Sequence, residues 1–388
     1  MILYWLLTFS VISLFITSVI MLRNRRQLPL LDPVSGQRSS FKKVSVCIPA
    51  RNEERNIATL LESLMHQTYT NYYIHLLDDD SEDRTGEIAE LFRERQPELL
   101  NIHKGLPKPA EWLGKSWACQ QLGELSDGEI ILFLDADTRL EKETLARIVH
   151  SMETTGAEMI TVWPYQILKT FWEQTVLPFV YYALVSLLPV DYTYKDPGWL
   201  PARLRKPMRP AFAVANGQCI GFLRTAYEEI GGHTRVKMSV LEDVQLAREA
   251  RKSGLTLRMF NGTDAISCRM YRNESELFNG LRKNFLAAFQ NSVPLLVGIG
   301  FLLLVIHLLP FLVLAAALLR GNASLFTASV SPVLLLLLHR IWLARWFGWD
   351  PLYAFTHPLG ALWISRLGVV KIRDAFTGYR PVWKNRKV

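Results

Sequence analysis

Two carboxylates lie one residue apart at the end of an apolar run near the middle of the chain. Residues 130–134 (IILFL) predict a fully buried strand, and Asp135 and Asp137 follow it directly, with Arg139 the nearest cation in sequence. Two like charges beside an apolar strand repel each other and lose hydration, which is costly without a compensating group. The spacing therefore predicts a site for a cation, or for a ligand that carries one.

Two more acidic stretches follow predicted strands in the same way. The segment IPARNEE follows an apolar strand predicted at 44–48, and DDDSED follows a strand predicted at 72–77. Helical patterns alternate with these strands, which is typical of a parallel sheet covered on both faces. Open α/β sheets bind ligands at the carboxyl ends of their strands. Solvated turns rich in Asp are the alternative, but three such coincidences favour a ligand site.

The chemistry of this predicted crevice favours a metal–diphosphate ligand. Acidic side chains repel a bare anion, whereas a divalent cation reverses the local field and allows a diphosphate to bind. Mg²⁺ and Mn²⁺ prefer carboxylate oxygens and keep positions for phosphate and water. The sequence contains no GxGxxG and no Walker loop, so neither a dinucleotide site nor a P-loop is expected.

The hydrophobic residues, 49% of the 388, are concentrated at the two ends of the chain. Residues 1–22 carry no charge and are long enough to cross a hydrocarbon core of about 30 Å. A cleaved signal peptide is the alternative, but no basic residue precedes the apolar run. Since RNRR follows at 23–26, the positive-inside rule places the next domain in the cytosol.

Three further apolar stretches lie near the C-terminus, at residues 294–319, 325–345 and 351–370. Three histidines lie within or beside them: His307, His339 and His357. We interpret these as packing or interface residues, because no Asp or Glu lies in the stretches to form a proton path. Three crossings would put the basic tail, 371–388, outside, although its charge predicts a cytosolic position. We therefore expect 351–370 to be re-entrant or interfacial, and predict a multi-pass cell-membrane protein with two or three C-terminal crossings.

Net charge and cysteine content limit the partners and the cell compartment that the sequence predicts. The net charge of +8 suits an anionic membrane surface, and nucleic acid is not an expected partner because no aromatic–basic surface is evident. The four cysteines show neither zinc-ligand spacing nor a disulfide framework, which fits a reducing cytosol.

The residues between the apolar ends, 40–290, predict a water-soluble domain. Within it, 171–190 is aromatic and apolar but contains Glu173 and two prolines. We interpret this segment as an interfacial or acceptor-groove helix rather than a membrane span, with an ordinary core helix as an equal alternative.

Ordered sequence blocks carry a family resemblance. The segments IPARNEE, LDDDSEDRT, GKSWA, FLDADT, NGQCIGFLRTAYEEIGGH and LEDVQLAREARKSG together resemble family 2 glycosyltransferases of the GT-A fold, over residues 44–285. RMY (269–271), HPLG (357–360) and VWKNR (382–386) resemble the membrane-bound branch that glycosylates carotenoid acids and hopanoid-type isoprenoid lipids. The implied fold is α/β, a Rossmann-like mixed sheet with transmembrane helices at both ends.

The resemblance also implies roles for residues of the nucleotide loops. Pro49 and Glu53 match the loop that lies against the uridine, and Asp79 matches the residue that reads the uracil. Asp80 stands where the family usually has Gly, so it either faces outward or adjusts base choice.

Further matches concern the sugar, the metal and the acceptor. Lys115 matches a lysine on the phosphate and sugar side, and Asp135 and Asp137 match the DxD pair, with Asp137 the direct ligand of Mg²⁺ or Mn²⁺. Asp243 matches the catalytic base. Candidate contacts to the diphosphate or the acceptor are Glu242, Gln218, Arg282 and Lys283. For Glu242 and Asp243 the alternative role is to complement the dipole of the helix that follows.

One departure narrows the implied activity. Many processive members carry a QxxRW block after the base, but here the corresponding place reads NGLRKNF (279–285). This difference disfavours a synthase that extends a polymer chain.

The predicted function is inverting, metal-dependent transfer from a UDP-sugar to an isoprenoid or carotenoid-type lipid. Because a carboxylic acid is ionised at neutral pH and needs no base, the presence of Asp243 predicts a hydroxyl acceptor. The alternatives are a polyprenyl-phosphate or other glycolipid or polysaccharide sugar transferase, and a membrane transporter or scaffold with a degenerate nucleotide fold.

Overall fold

The computed structural model describes residues 1–33 and 41–379, together with the backbone of 382–383 and 386–387. The chain folds into two compact units. The sheet unit comprises residues 27–167 and 190–270. The helical unit comprises residues 1–26, 168–189 and 271–388.

An eight-stranded mixed sheet forms the centre of the sheet unit. Its strands in chain order are β1 Val44–Ala50, β2 Tyr72–Asp78, β3 Leu100–Lys104, β4 Ile130–Leu134, β5 Thr138–Leu140, β6 Met159–Gln166, β7 Cys219–Leu223 and β8 Leu257–Cys268. Their order across the sheet is β3-β2-β1-β4-β7-β6-β8-β5. The chain winds from β1 to β3 on one side and returns to β4 on the other side of β1. That reversal creates the crevice in which open α/β sheets bind ligands.

The parallel arrangement expected from the alternating pattern holds for six of the eight strands, since β6 and β8 also pair in parallel. β3, β2, β1 and β4 are parallel, whereas β7 runs antiparallel to both β4 and β6. β5 is antiparallel to β8. The sheet is therefore mixed, as the resemblance to the GT-A fold implied. The reason is that a long segment separates β6 from β7 and brings β7 back beside β4 in the opposite direction.

Helices cover the sheet, and the alternation of side chains along each strand supplies a core on both faces. The helices of this unit are Ile57–Met65, Thr85–Arg95, Gly114–Leu125, Thr144–Thr155, Ala202–Met208, Arg224–Glu229 and Glu242–Ser253. In β1, Val44, Val46 and Ile48 belong to one buried cluster and Cys47 to the other. This period of two is the geometry of a strand buried on both faces.

The helical unit contains helices Ile2–Gln27, Phe171–Leu187, Glu274–Ala288, Val293–Leu303, Leu309–Arg320, Ala323–Phe347 and His357–Thr377. A π-helical turn, Leu304–Leu308, joins two of them into one apolar helix. Three helices of the described residues are long and apolar enough to cross a membrane, namely Ile2–Gln27, Val293–Arg320 and Ala323–Phe347.

The last predicted apolar stretch, 351–370, is built differently from those three helices. It consists of a 3₁₀ turn, Pro351–Thr356, and the start of the helix His357–Thr377. This helix extends into the predicted basic tail, 371–388. The side chains of residues 380–388, among them the VWKNR segment, are outside the described part of the chain.

The segment predicted to be interfacial forms the helix Phe171–Leu187 of the helical unit. Its Glu173 is fully buried, with its carboxylate accepting hydrogen bonds from the Lys169 amide and the Thr170 hydroxyl, both at 2.8 Å. Val176 and Phe179 belong to the buried cluster of this unit. The helix therefore packs within its own unit, and both interpretations, an interfacial or acceptor-groove helix and a core helix, stay predictions.

Candidate active site

The carboxylate of Asp135 is presented by a tight turn directly after β4. The Asp135 amide donates to the carbonyl of Gln218 at 3.1 Å. The amide and hydroxyl of Thr138 both donate to the Asp135 carbonyl, at 3.1 and 2.7 Å. Three hydrogen bonds at its amide and carbonyl groups therefore hold the Asp135 backbone in place.

Lys115, in the first turn of helix Gly114–Leu125, lies between two acids. Its Nζ is 2.7 Å from Asp135 Oδ1 and 2.9 Å from Glu242 Oε1. Burial lowers the pKa of Lys115, but the Asp135 and Glu242 carboxylates outweigh that effect and raise the pKa well above its usual value. Lys115 is thus a permanent cation that offsets the charge of Asp135 in this structure.

Asp243 lies in the first turn of helix Glu242–Ser253, beside the same cation. Its Oδ2 accepts from the Gly217 amide at 2.9 Å and its Oδ1 from the Val244 amide at 2.8 Å. Burial and the Glu242 carboxylate raise the pKa of Asp243, while Lys115 and the two amides lower it, giving about 7. A carboxyl group with such a pKa is suited to general-base chemistry near neutral pH.

Lys115, Asp135 and Glu242 line a pocket with roughly 310 Å³ of empty space, open solvent at its mouth included, whereas Asp243 is not among its lining residues. The lining residues are Pro49, Lys115, Cys119, Phe133, Leu134, Asp135, Gly217, Ile220, His233, Glu242 and Leu246. A Cβ atom at Gly217 would lie 3.2 Å from Asp243 Oδ2 and 3.4 Å from Lys115 Nζ. The absence of a side chain at Gly217 therefore lets both groups lie close to the backbone at this position.

Asp137 lies beside a buried thiol. The pKa of Cys268 is raised by burial, then by the Asp137 and Asp135 carboxylates, and Cys268 hydrogen-bonds to Asp137. Gln218 Nε2 donates to Cys268 Sγ at 2.7 Å, and Gln166 Nε2 donates to Gln218 Oε1 at 2.8 Å. Gln218 is buried and bonds to these neighbours of the acidic pair, and its contact to the diphosphate or the acceptor stays a prediction.

The donor chemistry of Asp135 and Asp137 fits a divalent cation that takes its other ligands from a diphosphate and water. Within the described residues, no group of three or more His, Cys, Asp or Glu side chains could hold a metal ion. A cation held here would therefore depend on its ligand for much of its coordination shell.

The residues predicted to bind the nucleotide lie after β1 and β2. Pro49 reaches the pocket, whereas Glu53 and Asp79 are not among its lining residues. Asp79 is buried and its amide donates to the Ala50 carbonyl at 2.8 Å, while Glu53 Oε2 accepts from Asn56 at 2.9 Å. The Asp79 amide is therefore held by the end of β1, and the Glu53 carboxylate by a residue of its own loop.

Asp80 faces outward, as one of the two alternatives predicted. Its φ is 60°, a left-handed conformation that favours glycine, and its carboxylate is 83% exposed. Arg51, which sequence reasoning did not single out, donates from Nη1 to the carbonyls of Asp79 and Asp80 at 2.5 and 2.7 Å. Arg51 thereby ties the first acidic loop to the second.

Arg282 has a different partner from the diphosphate that we expected. It lies in the helical unit, where its Nε and Nη2 donate to the two oxygens of Asp374 at 2.7 and 2.5 Å. Lys283 follows it on the same helix, Glu274–Ala288. Within its own unit Arg282 therefore forms an ion pair with the buried Asp374, and its contact to the diphosphate or the acceptor stays a prediction.

His233 is a pocket residue to which the sequence analysis gave no role. It is 2% exposed, its Nδ1 is 2.8 Å from the Tyr227 hydroxyl, and burial lowers its pKa to about 3. The imidazole is therefore neutral at physiological pH. His233 ends one of the sequence blocks, but only the packing against Phe133 and Tyr227 brings it to the pocket.

Comparison with known proteins identifies the domain that carries this site. The model of the family Glycosyl transferase family 2 matches residues 45–231. Residues 45–231 form a family 2 glycosyltransferase domain. The match ends at residue 231, before Glu242 and Asp243, which belong to the same sheet unit.

Two curated relatives are similar to this chain. The 4,4'-diaponeurosporenoate glycosyltransferase of Staphylococcus haemolyticus is 28% identical over 261 residues, 67% of this chain and 64% of the relative. The enzyme of the same name from Staphylococcus aureus strain USA300 is 26% identical over 235 residues, 60% of this chain and 58% of the relative. The chain thus spans less than two thirds of the length of these relatives.

A solved structure is similar over nearly the whole chain. The mannosyltransferase PcManGT from Pyrobaculum calidifontis, in complex with GDP-Man and Mn²⁺, superposes with a TM-score of 0.56 at 18% identity. The likeness covers 93% of this chain and 99% of that one. It supports the GT-A fold of the glycosyltransferase domain.

Proposed function

We propose that the protein transfers a sugar from a nucleoside-diphosphate sugar to a carotenoid or other isoprenoid-type lipid at a membrane. The observation that carries this proposal is that Lys115, Asp135 and Glu242 line one pocket of the sheet unit, with Asp243 bonded to the Gly217 amide at its edge. The names of the two staphylococcal relatives support a carotenoid-type acceptor.

In the proposed reaction, each side chain has a task set by its charge. Asp243, with a pKa of about 7, takes the proton from an acceptor hydroxyl as that oxygen attacks the anomeric carbon. Lys115 is held beside the crevice as a cation and can pair with the departing diphosphate. Direct displacement of the diphosphate inverts the anomeric centre.

A divalent cation is part of the proposal. Asp135 and Asp137 would hold Mg²⁺ or Mn²⁺, which when bound supplies positive charge to the diphosphate leaving group. That the similar mannosyltransferase was solved with Mn²⁺ supports this choice of ion.

Two observations point to different nucleotide bases in the sugar donor. The resemblance of Pro49, Glu53 and Asp79 to the family's uridine-binding residues predicts a UDP-sugar, whereas the similar mannosyltransferase was solved with GDP-Man. Incubating purified protein with UDP-glucose, UDP-GlcNAc or GDP-mannose and measuring nucleotide release decides between them. We expect release of UDP, and release of GDP alone would contradict the uridine prediction.

Two acceptor groups have separate support. The raised pKa of Asp243 supports a hydroxyl, because only a hydroxyl needs a base. The name of the relatives, which is that of a carboxylate, supports a carotenoid acid as the second candidate. Mild alkali releases the sugar from an ester but not from an ether, and acid lability would reveal a polyprenyl-phosphate product.

We also propose that the chain is a multi-pass membrane protein whose glycosyltransferase domain is cytosolic. The three long apolar helices and the cluster Arg23–Arg26 support this topology. All four native cysteines are buried, so Asn385→Cys, in a part of the tail outside the described residues, would label selectively. Labelling by an impermeant reagent in intact cells would contradict the proposed cytosolic tail.

The direct test of the function is mass spectrometry of lipids from cells with the gene, without it, and with an Asp243→Asn variant. We expect a hexosyl-lipid only with the native protein. If no lipid carries sugar and purified protein with Mn²⁺ hydrolyses no nucleotide sugar, the transporter or scaffold alternative is favoured.

A further inference from the structure

Arg340 is a buried cation on a helix long and apolar enough to cross a membrane. It lies near the middle of the C-terminal half of helix Ala323–Phe347 and is only 2% exposed. Ionisable side chains in such segments are costly, and those that occur commonly mark a ligand or ion site. The partners of Arg340 therefore decide what it does.

Within the described part of the chain, the guanidinium of Arg340 has no carboxylate partner. Its Nη2 donates to the Thr175 carbonyl at 3.3 Å, and its Nη1 makes no hydrogen bond. In the same unit Arg282, also largely buried, is bonded at two atoms by Asp374. Among the described residues, one buried arginine thus has a carboxylate partner and the other has none.

A second buried polar atom lies in the same cluster. The Nδ1 of His357 makes no hydrogen bond with any described residue, although this side chain is fully buried. Both groups pack on Phe179, whose ring centroid is 5.0 Å from that of His357 and 6.0 Å from Cζ of Arg340. A ligand that accepts hydrogen bonds from both would satisfy two groups that the chain itself does not.

The neighbouring histidines are placed by polar contacts within the unit. His307 Nδ1 is 3.2 Å from His357 Nε2, and His307 lies in the π-helical turn Leu304–Leu308. His339 is 2.6 Å from the Ser18 hydroxyl and 3.0 Å from that of Tyr182. Single π-helical turns are rare and recur at functional sites, so this turn is a further sign that the cluster serves a ligand.

We propose that Arg340 and His357 bind the oxyanion of a lipid, a carboxylate or phosphate carried on a long apolar chain. The guanidinium presents paired N–H donors in a plane that matches such a group. The ligand is a lipid because the helix that carries Arg340 is apolar. This inference does not depend on glycosyl transfer and remains open to test if the proposed function fails.

Thermal unfolding of the delipidated full-length protein in a neutral detergent tests the proposal. The probes are oleate, dioleoyl phosphatidic acid and, as the neutral control, oleyl alcohol. We expect oleate, phosphatidic acid or both to raise Tm, and oleyl alcohol not to. A response to oleate alone assigns a carboxylate and one to phosphatidic acid alone a phosphate. No response to either anion, or an equal response to the alcohol, overturns the proposal.

Variants of two arginines on the same helix separate binding from packing. Arg340→Met should abolish the response to the anions, whereas Arg345→Met, at an exposed position, should keep it. Without lipid, Arg340→Met should unfold at a higher temperature than the native protein, because it removes a buried charge that lacks a counter-ion. A lower Tm with an intact lipid response would show that Arg340 is structural and overturn the proposal.

A conservative variant keeps the test decisive if Arg340→Met does not fold. Arg340→Lys retains the charge but loses the planar pair of donors, so oleate or phosphatidic acid affinity should fall about tenfold or more. Unchanged affinity in Arg340→Lys would contradict recognition of an oxyanion by the guanidinium.

Discussion

Lys115 Nζ lies 2.7 Å from Asp135 Oδ1, so the first carboxylate of the acidic pair already has a cation from the chain itself. The same Nζ also contacts Glu242, which adjoins Asp243. The strand end and the candidate base are therefore electrostatically linked through one lysine. Replacing Lys115 or Glu242 should therefore change the pKa of Asp243, in opposite directions.

Activity should fall in acid with an apparent pKa of about 7. Because the pKa of Asp243 is raised to that value, the base is protonated below it, and kcat/KM should fall about tenfold per pH unit. Asp243→Asn should lower kcat by about 10²–10⁴ at pH 8. A pH profile that is flat from 5.5 to 8, together with an active Asp243→Asn, would instead indicate a carboxylic-acid acceptor.

The acidic limb of the pH profile, where kcat/KM falls below pH 7, should shift in opposite directions in two variants. Glu242 raises the pKa of Asp243 and Lys115 lowers it. Glu242→Gln should therefore move the limb to lower pH, and Lys115→Gln to higher pH, as measured by kcat/KM against pH. Glu249→Gln, further along the same helix, serves as the control and should leave the limb in place. Shifts of the same sign in both site variants would refute the electrostatic link.

Asp137→Asn should abolish metal-dependent binding of the nucleotide. Mn²⁺ with UDP should raise the Tm of the native protein but not that of the variant, because the cation loses a carboxylate ligand. Activity should fall by about 10² or more. Asp264→Asn, at a surface ion pair with Arg147, is the matched control and should respond as the native protein does. If Asp137→Asn keeps the Mn²⁺ response, the metal assignment is wrong.

Gly217→Ala should lower kcat without unfolding the protein. The new Cβ would lie 3.2 Å from Asp243 Oδ2 and must displace either the carboxylate or Lys115. We expect a loss of about tenfold or more in kcat, since small displacements of a base are costly. Gly198→Ala adds its methyl group to open space and should be silent. Equal activity in both variants would show that the approach at Gly217 is unimportant.

Arg282→Met should destabilise the protein while leaving the donor KM unchanged. It leaves Asp374, which is 2% exposed, buried without its partner, at a cost of about 3–5 kcal/mol. Replacing both residues by Met should restore much of the lost stability in denaturant unfolding. A raised donor KM with unchanged stability would return Arg282 to the diphosphate role that the sequence suggested.

The sequence by itself determined several of the elements and the sheet edge at which the acidic residues lie. Apolar runs with a period of two or of 3.6 residues depend only on local order along the chain, so β1, β2 and β4 could be predicted. The acids after these strands could be assigned to one sheet edge because parallel strands end together. The ordered blocks added the family, which the match over residues 45–231 confirmed.

Only the tertiary structure decided which side chains meet. Nothing local pairs Lys115 with Glu242, 127 positions later, or Arg282 with Asp374. The antiparallel entry of β7 likewise depends on a long connection, and β7 is the strand that follows Gly217. The reason is physical: partner choice among charged residues far apart in sequence depends on distance and burial, which the fold sets and the order of residues alone does not.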